Sequence, residues 1–226
     1  MPQTLSNLAY DTTQAIENLL TEDDEPLNLF SAKQQRLLVE SLYTSWKPLN
    51  TETGESRSFV ADSNVGVFFS VHQPPLVPDM FLSLDVEMPA DLDLNAHRSY
   101  FVWEFGKVPD VAVEIVSNRK GNELTSKLKD YARIGVTYYV VLDPFGNLGE
   151  NILQVYELGF GKRLRPKSDS VLTEVGLEAR LWQGEFEGLT GEWLRWFDAE
   201  SGNLILTGKE SAEKMAQKLR DLGIDF

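Results

Sequence analysis

PDVAVEIVS, residues 109–117, is the stretch that decides how this chain is read. Val111, Val113 and Ile115 alternate as the buried face of a β-strand requires. The other face carries Asp110 and Glu114 around the small Ala112. Carboxylates on a strand bound for a core either meet water or hold something. At a rise of about 3.3 Å per residue, the two acids of a regular strand stand roughly 13 Å apart. Metal–oxygen bonds of about 2.1 Å do not let one ion join both. A second acid for Glu114 therefore has to come from another element.

MFLSLDVEM, residues 80–88, reads as the strand that donates it. Met80, Leu82, Leu84 and Val86 share one face, and Asp79, Phe81, Ser83 and Asp85 the other. Antiparallel pairing of the two strands puts Asp79 opposite Glu114 and Asp85 near Asp110. A helix is expected from about residue 123 to 134, with Leu124, Leu128, Tyr131 and Ala132 as its apolar stripe and Gly135 just past its end. At 100° per residue Lys127 falls on the edge of that stripe, while Ser126, Lys129, Asp130 and Arg133 turn to solvent. Two carboxylates and one lysine can bind a divalent cation, orient water and neutralise charge building on a phosphate.

Around this centre the chain alternates strands and helices, which predicts an α+β (α/β-like) domain on a mixed sheet. Residues 31–46 read as an amphipathic helix with Ser31 as N-cap and Leu37, Leu38, Leu42 and Tyr43 at helical spacing. SFVADSNVGVFFSV supplies one or two strands, QPPLVPD a turn, PADLDLNAHR a loop and SYFVWEF a further strand. TYYVVLDP is a short apolar strand with LQVYEL as its antiparallel neighbour, and the Trp-rich text of residues 161–206 suggests more β-structure. The tail, residues 209–222, is an amphipathic helix with Ala212, Met215, Ala216, Leu219 and Leu222 at core spacing. The organisation expected is an acidic N-terminal segment (1–30), one domain (31–206) and a C-terminal helix (207–226).

Composition narrows the chemistry. The 226 residues contain no cysteine, which removes disulfides and thiolate metal sites. His72 and His97 have no partners at ligand spacing. Any metal must be held by oxygen, which favours Mg2+ or Mn2+. The formal net charge of −14 repels nucleic acid unless the 21 Lys and Arg are gathered on one face. MPQTLSNLAYDTTQ has neither a basic start nor an apolar run, and no window has the apolar length of a membrane span. A cytoplasmic protein is the expectation.

PDMFLSLDVE, PDVAVEIVSNR, KLKDYARIGVTYYVVLDP and KLRDLGID, taken in this order, resemble the large bacterial family of putative restriction endonucleases within the PD-(D/E)XK nuclease superfamily. The resemblance runs from about residue 31 to the end. It implies a restriction-endonuclease-like core, with a central mixed sheet flanked by helices, carrying here extra C-terminal strands and a terminal helix. It also implies Mg2+-dependent hydrolysis of phosphodiester bonds, with DNA as partner and a homodimer where both strands are cut. Carried over by position, Asp79 is the aspartate of the first motif and Glu114 the acid of the next core strand, both metal ligands. The superfamily lysine stands two places after that acid, where this chain has Val116. The family is similar in taking its lysine from the following helix, at the position of Lys127. An acid on the first helix is a looser feature, for which Glu40 is the candidate. Asp110 belongs to the PDxxxE pattern, as a ligand of a second ion or as a cap on the strand entrance.

Each of these residues also has a plain structural reading. Pro-Asp before a strand is turn chemistry, a strand acid faces water, and a lysine at a stripe edge snorkels. Tyr131 reads as core. Arg119 and Lys120 either contact phosphate or belong to a solvated loop. A nuclease-fold binding or oligomeric interaction protein without catalysis is the alternative function, motivated by the acidic charge and the displaced lysine.

Overall fold

The structure is a computed structural model and describes residues 28–50, 52–91, 94, 97–117 and 123–223. The N-terminal acidic segment thus lies outside the described residues up to residue 27, as do Arg119 and Lys120 and part of the PADLDLNAHR loop. Helix α1 (Leu29–Ser45) is followed by strands β1 (Phe59–Asp62), β2 (Val67–Phe68), β3 (Met80–Leu84) and β4 (Tyr100–Phe101). A one-turn helix α2 (Val102–Phe105) leads to β5 (Val111–Ile115). A π-helical turn (Glu123–Lys127) runs into α3 (Leu128–Ile134), and β6 (Tyr138–Leu142), β7 (Leu153–Gly159) and β8 (Arg163–Pro166) follow. Strands β9 (Val171–Leu172), β10 (Leu177–Phe186) and β11 (Leu189–Asp198) and helix α4 (Gly208–Asp221) complete the chain.

The central sheet is mixed and six-stranded, in the order β1-β3-β5-β6-β7-β8. β3 and β5 are antiparallel, with Met80 opposite Val113 and Leu82 opposite Val111. β5 and β6 are parallel and joined by the crossover that contains α3. One face buries Met80, Leu82, Leu84, Val111, Val113, Ile115, Tyr138, Val140 and Leu142 against Leu38 and Leu42 of α1 and Leu177, Leu194 and Trp196 of the β9–β11 sheet. The opposite face packs Ala112, Val116, Tyr139 and Val141 against Tyr131 and Ala132 of α3. Both faces of β5 and β6 are therefore covered, which is why every residue of the two strands is buried. Among the described residues no helix is long and apolar enough to cross a membrane.

The mixed sheet, flanking helices, added C-terminal strands and terminal helix are the architecture expected from the sequence. Several local expectations need correction. Asn28, not Ser31, caps α1, its side chain accepting from Ser31 N at 2.8 Å. SYFVWEF is not one strand: only Tyr100 and Phe101 pair, in parallel with β2, and the chain then turns through α2 to a left-handed Gly106. A two-residue partner strand cannot extend the ladder, so the β-propensity of the aromatic run is overridden. The alternation of β3 ends at Asp85, whose φ is 57°. Val86 therefore joins Phe81 and Tyr100 instead of the Met80 face.

The C-terminal helix forms, but none of its residues is buried, and Met215 and Leu222 are exposed. Its first turn alone is anchored. Thr207 and Glu210 make a capping box, Glu210 pairs with Arg195 at 2.7 Å, and Ser211 bonds Ser45 at 2.9 Å. Those contacts are polar and confined to the first turn, and the apolar residues further along the helix are not buried among the described residues.

Candidate functional site

Because the β3–β5 register pairs Met80 with Val113, its continuation sets Asp79 opposite Glu114, on the α3 face. The Asp79 carboxylate turns toward β5 and accepts Ile115 N at 2.6 Å through Oδ2. Its Oδ1 accepts the Gln35 side-chain amide from α1 at 2.7 Å. Burial raises the pKa of Asp79, against the lowering effect of the Ile115 N–H, the Gln35 amide and the Lys127 charge.

Glu114 is 1% exposed, so its strand face does not meet water. Lys127 Nζ lies 2.7 Å from Oε2, and the Tyr131 hydroxyl donates to Oε1 at 2.7 Å. Burial pushes Glu114 up to about 8, outweighing the Lys127 charge and the two hydrogen bonds. Burial works to lower Lys127, but the Glu114 carboxylate more than offsets it and the ammonium form is favoured. Burial likewise holds the Tyr131 phenol well above its usual range, so it stays a donor.

The π-turn places these two partners. Lys127 closes the π-turn and Tyr131 lies one turn on, in α3. Both reach the same carboxylate, which needs their side chains on one face. A π-turn inserted at the start of a helix is a known feature of functional positions. Gly135, at φ 101°, ends α3 and returns the chain to β6.

Asp79, Glu114 and Lys127 thus come together, and Asp110 and Glu40 stand apart. Asp110 sits at the other end of β5, accepting Leu84 N at 2.8 Å and Lys107 Nζ at 2.7 Å. That is the geometry of a cap on the strand entrance. Asp85 pairs instead with Arg57 at 2.7 Å. Glu40 accepts Gly208 N at 2.6 Å at the start of α4 and lines a groove of about 630 Å³ between α1, the β10–β11 hairpin and α4. None of Asp79, Glu114 and Lys127 lines that groove.

Two members of the cluster's surroundings escape the sequence reading. Gln35 has a signal that could have found it: with Ser31, Gln34, Leu38 and Leu42 it occupies the buried stripe of α1, where an amide needs a partner. Glu123, at the start of the π-turn, is 7% exposed and its Oε2 is buried without a hydrogen-bond partner. In the sequence it is an ordinary first-turn acid. Among the described residues no three of His, Cys, Asp and Glu are grouped to hold a metal ion together.

The fold and this cluster define a class: an α+β protein on a mixed sheet, with a buried carboxylate on one strand, a half-buried one at the start of its antiparallel neighbour, and a lysine from the following crossover. Within that class the chain belongs to the Uma2 family, described as "Putative restriction endonuclease", whose model matches residues 25–181. The matched span contains Asp79, Glu114 and Lys127. The resemblance drawn from the motifs is thereby borne out over these residues, while KLRDLGID lies beyond the matched span. A solved structure similar to this chain is that of a putative nuclease belonging to DUF820 from Anabaena variabilis. It shares 15% identity over 68% of this chain and 75% of that one, at a TM-score of 0.40. No curated protein matches the chain.

Proposed function

We propose that this protein is a Mg2+- or Mn2+-dependent endonuclease that hydrolyses phosphodiester bonds of DNA, with Asp79 and Glu114 as metal ligands. The observation that carries the reading is the Glu114–Lys127 pair at 2.7 Å with Asp79 set opposite by strand register. Membership of a family described as restriction endonucleases supports it. The donor set fits such an ion, since it is all oxygen, with no thiolate in the chain.

Hydrolysis requires a water oxygen to attack phosphorus while the bond to the leaving oxygen breaks and that oxygen gains a proton. A divalent cation bound by the carboxylates would supply a Lewis acid that polarises the phosphate and makes the water a better nucleophile. Asp79 is held in one orientation by Ile115 N and Gln35. Lys127 keeps its proton through its pairing with Glu114. Its side chain is 38% exposed, enough to face a substrate. The ammonium then either positions the water or stabilises the negative charge developing on the phosphate oxygens. Tyr131 fixes the other oxygen of the Glu114 carboxylate from the same helical segment.

Glu114→Ala should abolish Mg2+-dependent cleavage of plasmid DNA while circular dichroism shows the fold intact. Undiminished cleavage by that variant would sink the assignment. A second reading, a nuclease-fold binding or interaction protein, is favoured by one observation: Lys127 and Tyr131 already satisfy both oxygens of Glu114. Calorimetric titration with Mn2+ separates the two, because the binding-protein reading expects no uptake at the carboxylates.

A further inference from the structure

Among the described acids around the cluster, Glu123 is the one with a buried side-chain oxygen that has no hydrogen-bond partner. Its backbone carbonyl accepts the Tyr139 hydroxyl at 3.0 Å, which fixes the start of the π-turn against the sheet. Its side chain is 7% exposed, and among the described residues Oε2 has no hydrogen-bond partner. Tyr139 packs on Tyr131, the donor to Glu114, with ring centroids 5.0 Å apart, and Glu123 opens the π-turn that Lys127 closes, so Glu123 borders the cluster. Both oxygens of Asp79 and both of Glu114 have donors, and Glu123 Oε2 has none. A buried carboxylate oxygen without a protein donor is costly, and ordered water or an ion commonly satisfies such a group.

Charge points the same way. A bound cation favours the ionised form of its carboxylates; with Asp79, Glu114 and Glu123 all ionised in that state, the single ammonium of Lys127 leaves two formal negative charges, the charge of one divalent cation. The described acids are nevertheless not grouped closely enough for three to ligate one ion directly. Mg2+ does not need that. It takes one or two carboxylates and retains several waters, whose hydrogen atoms need acceptors. Carboxylates outside the direct ligand set serve as those acceptors and tune affinity.

We propose that Glu123 is the outer acid of the divalent-cation site, accepting hydrogen bonds from the ion's water shell; this rests on the reading of Asp79 and Glu114 as its ligands. Glu123 is in this sense a positioning residue. It orders water beside Lys127 and balances the charge of the site without entering the direct ligand set.

The test is Mn2+ affinity by isothermal titration calorimetry on the full chain, comparing the unaltered protein with Glu123→Gln and Asp79→Asn. Removing an outer acceptor weakens metal binding by about 10- to 100-fold, so Glu123→Gln should bind Mn2+ at least tenfold more weakly. Thermal melts on the same samples guard against loss of fold and give a second reading. Without metal, Glu123→Gln should melt no lower than the unaltered protein, since Oε2 makes no hydrogen bond for the substitution to break. With Mn2+ it should gain less in melting temperature. Weakened binding in Asp79→Asn but unchanged affinity in Glu123→Gln overturns the role of Glu123 and leaves the endonuclease reading standing. No Mn2+ uptake by the unaltered protein overturns both. A Glu123→Gln variant that melts well below the unaltered protein without metal also counts against the inference, because it makes Glu123 a structural acid.

Discussion

Replacing Glu114 by glutamine should change the pH dependence of stability in a defined direction. Glu114 is 1% exposed, and burial pushes its carboxyl from the ordinary 4.5 up to about 8. Between these values the folded protein keeps a proton that the unfolded chain releases. Stability must therefore fall as pH rises. The contribution is fully present below the unfolded value of 4.5 and is lost as pH climbs through about 8. The slope approaches about 1.4 kcal/mol per pH unit, and the whole effect is about 5 kcal/mol. Set against a typical domain stability of about 5–15 kcal/mol, that is a large fraction. Glutamine has nearly the same shape and does not titrate, so Glu114→Gln should be far flatter over the same window. Urea unfolding followed by tryptophan fluorescence reports it, since Trp193 and Trp196 are fully buried. The measurement runs at intervals from about pH 5 to about pH 8. A stability of the unaltered protein that holds level or rises across that window would refute the reasoning. So would an equal slope in Glu114→Gln. If the carboxylates bind Mn2+, the metal favours the ionised form, and saturating Mn2+ should flatten the slope of the unaltered protein as well.

Two further substitutions test the parts of the fold that frame the site. Asp110→Asn should weaken the pairing with Lys107 and the acceptance of Leu84 N, costing about 1–3 kcal/mol in urea unfolding; Mn2+ affinity should be unchanged, and a loss of metal binding would make Asp110 part of the site. Glu210→Ala should leave Arg195, 1% exposed, without its carboxylate and break the capping box of α4. The expected loss is about 3–5 kcal/mol, and a change below about 1 kcal/mol would mean that the pair is screened like a surface one.

What could be read in the sequence follows from packing on two sides. The central strands alternate because each face meets a different layer, so parity assigns Glu114 to the α3 side and Val113 to the α1 side. The helix carrying Lys127 is equally legible through Tyr131, Ala132 and Gly135. SYFVWEF misleads because its apolar residues are shared between a two-residue strand and a turn of helix, and composition does not distinguish these. The tail helix misleads for the opposite reason. Its periodicity is real, but spacing says nothing about whether a partner surface lies beside it. Gln35 stands in the stripe of α1 that carries Leu38 and Leu42, but Glu123 comes into view only once the helix is docked, because being buried next to the cluster is a tertiary property.

The displaced lysine has a physical account in the same parity. Val116 stands two residues after Glu114, at the superfamily's lysine position, and on a strand it shares Glu114's face. It is fully buried in one cluster with Tyr131 and Ala132 of α3. A lysine there would drive its stem into that packing. The crossover between the parallel strands β5 and β6 must pass over one face of the sheet, and here it passes over the face that bears the carboxylates. Lys127 therefore reaches Glu114 from above the sheet while Val116 fills the layer beneath. The ammonium keeps its carboxylate partner, and its side chain stays 38% exposed, where a lysine at position 116 would be enclosed. Moving the cation from strand to helix thus keeps the contact with Glu114 while leaving the lysine side chain partly exposed.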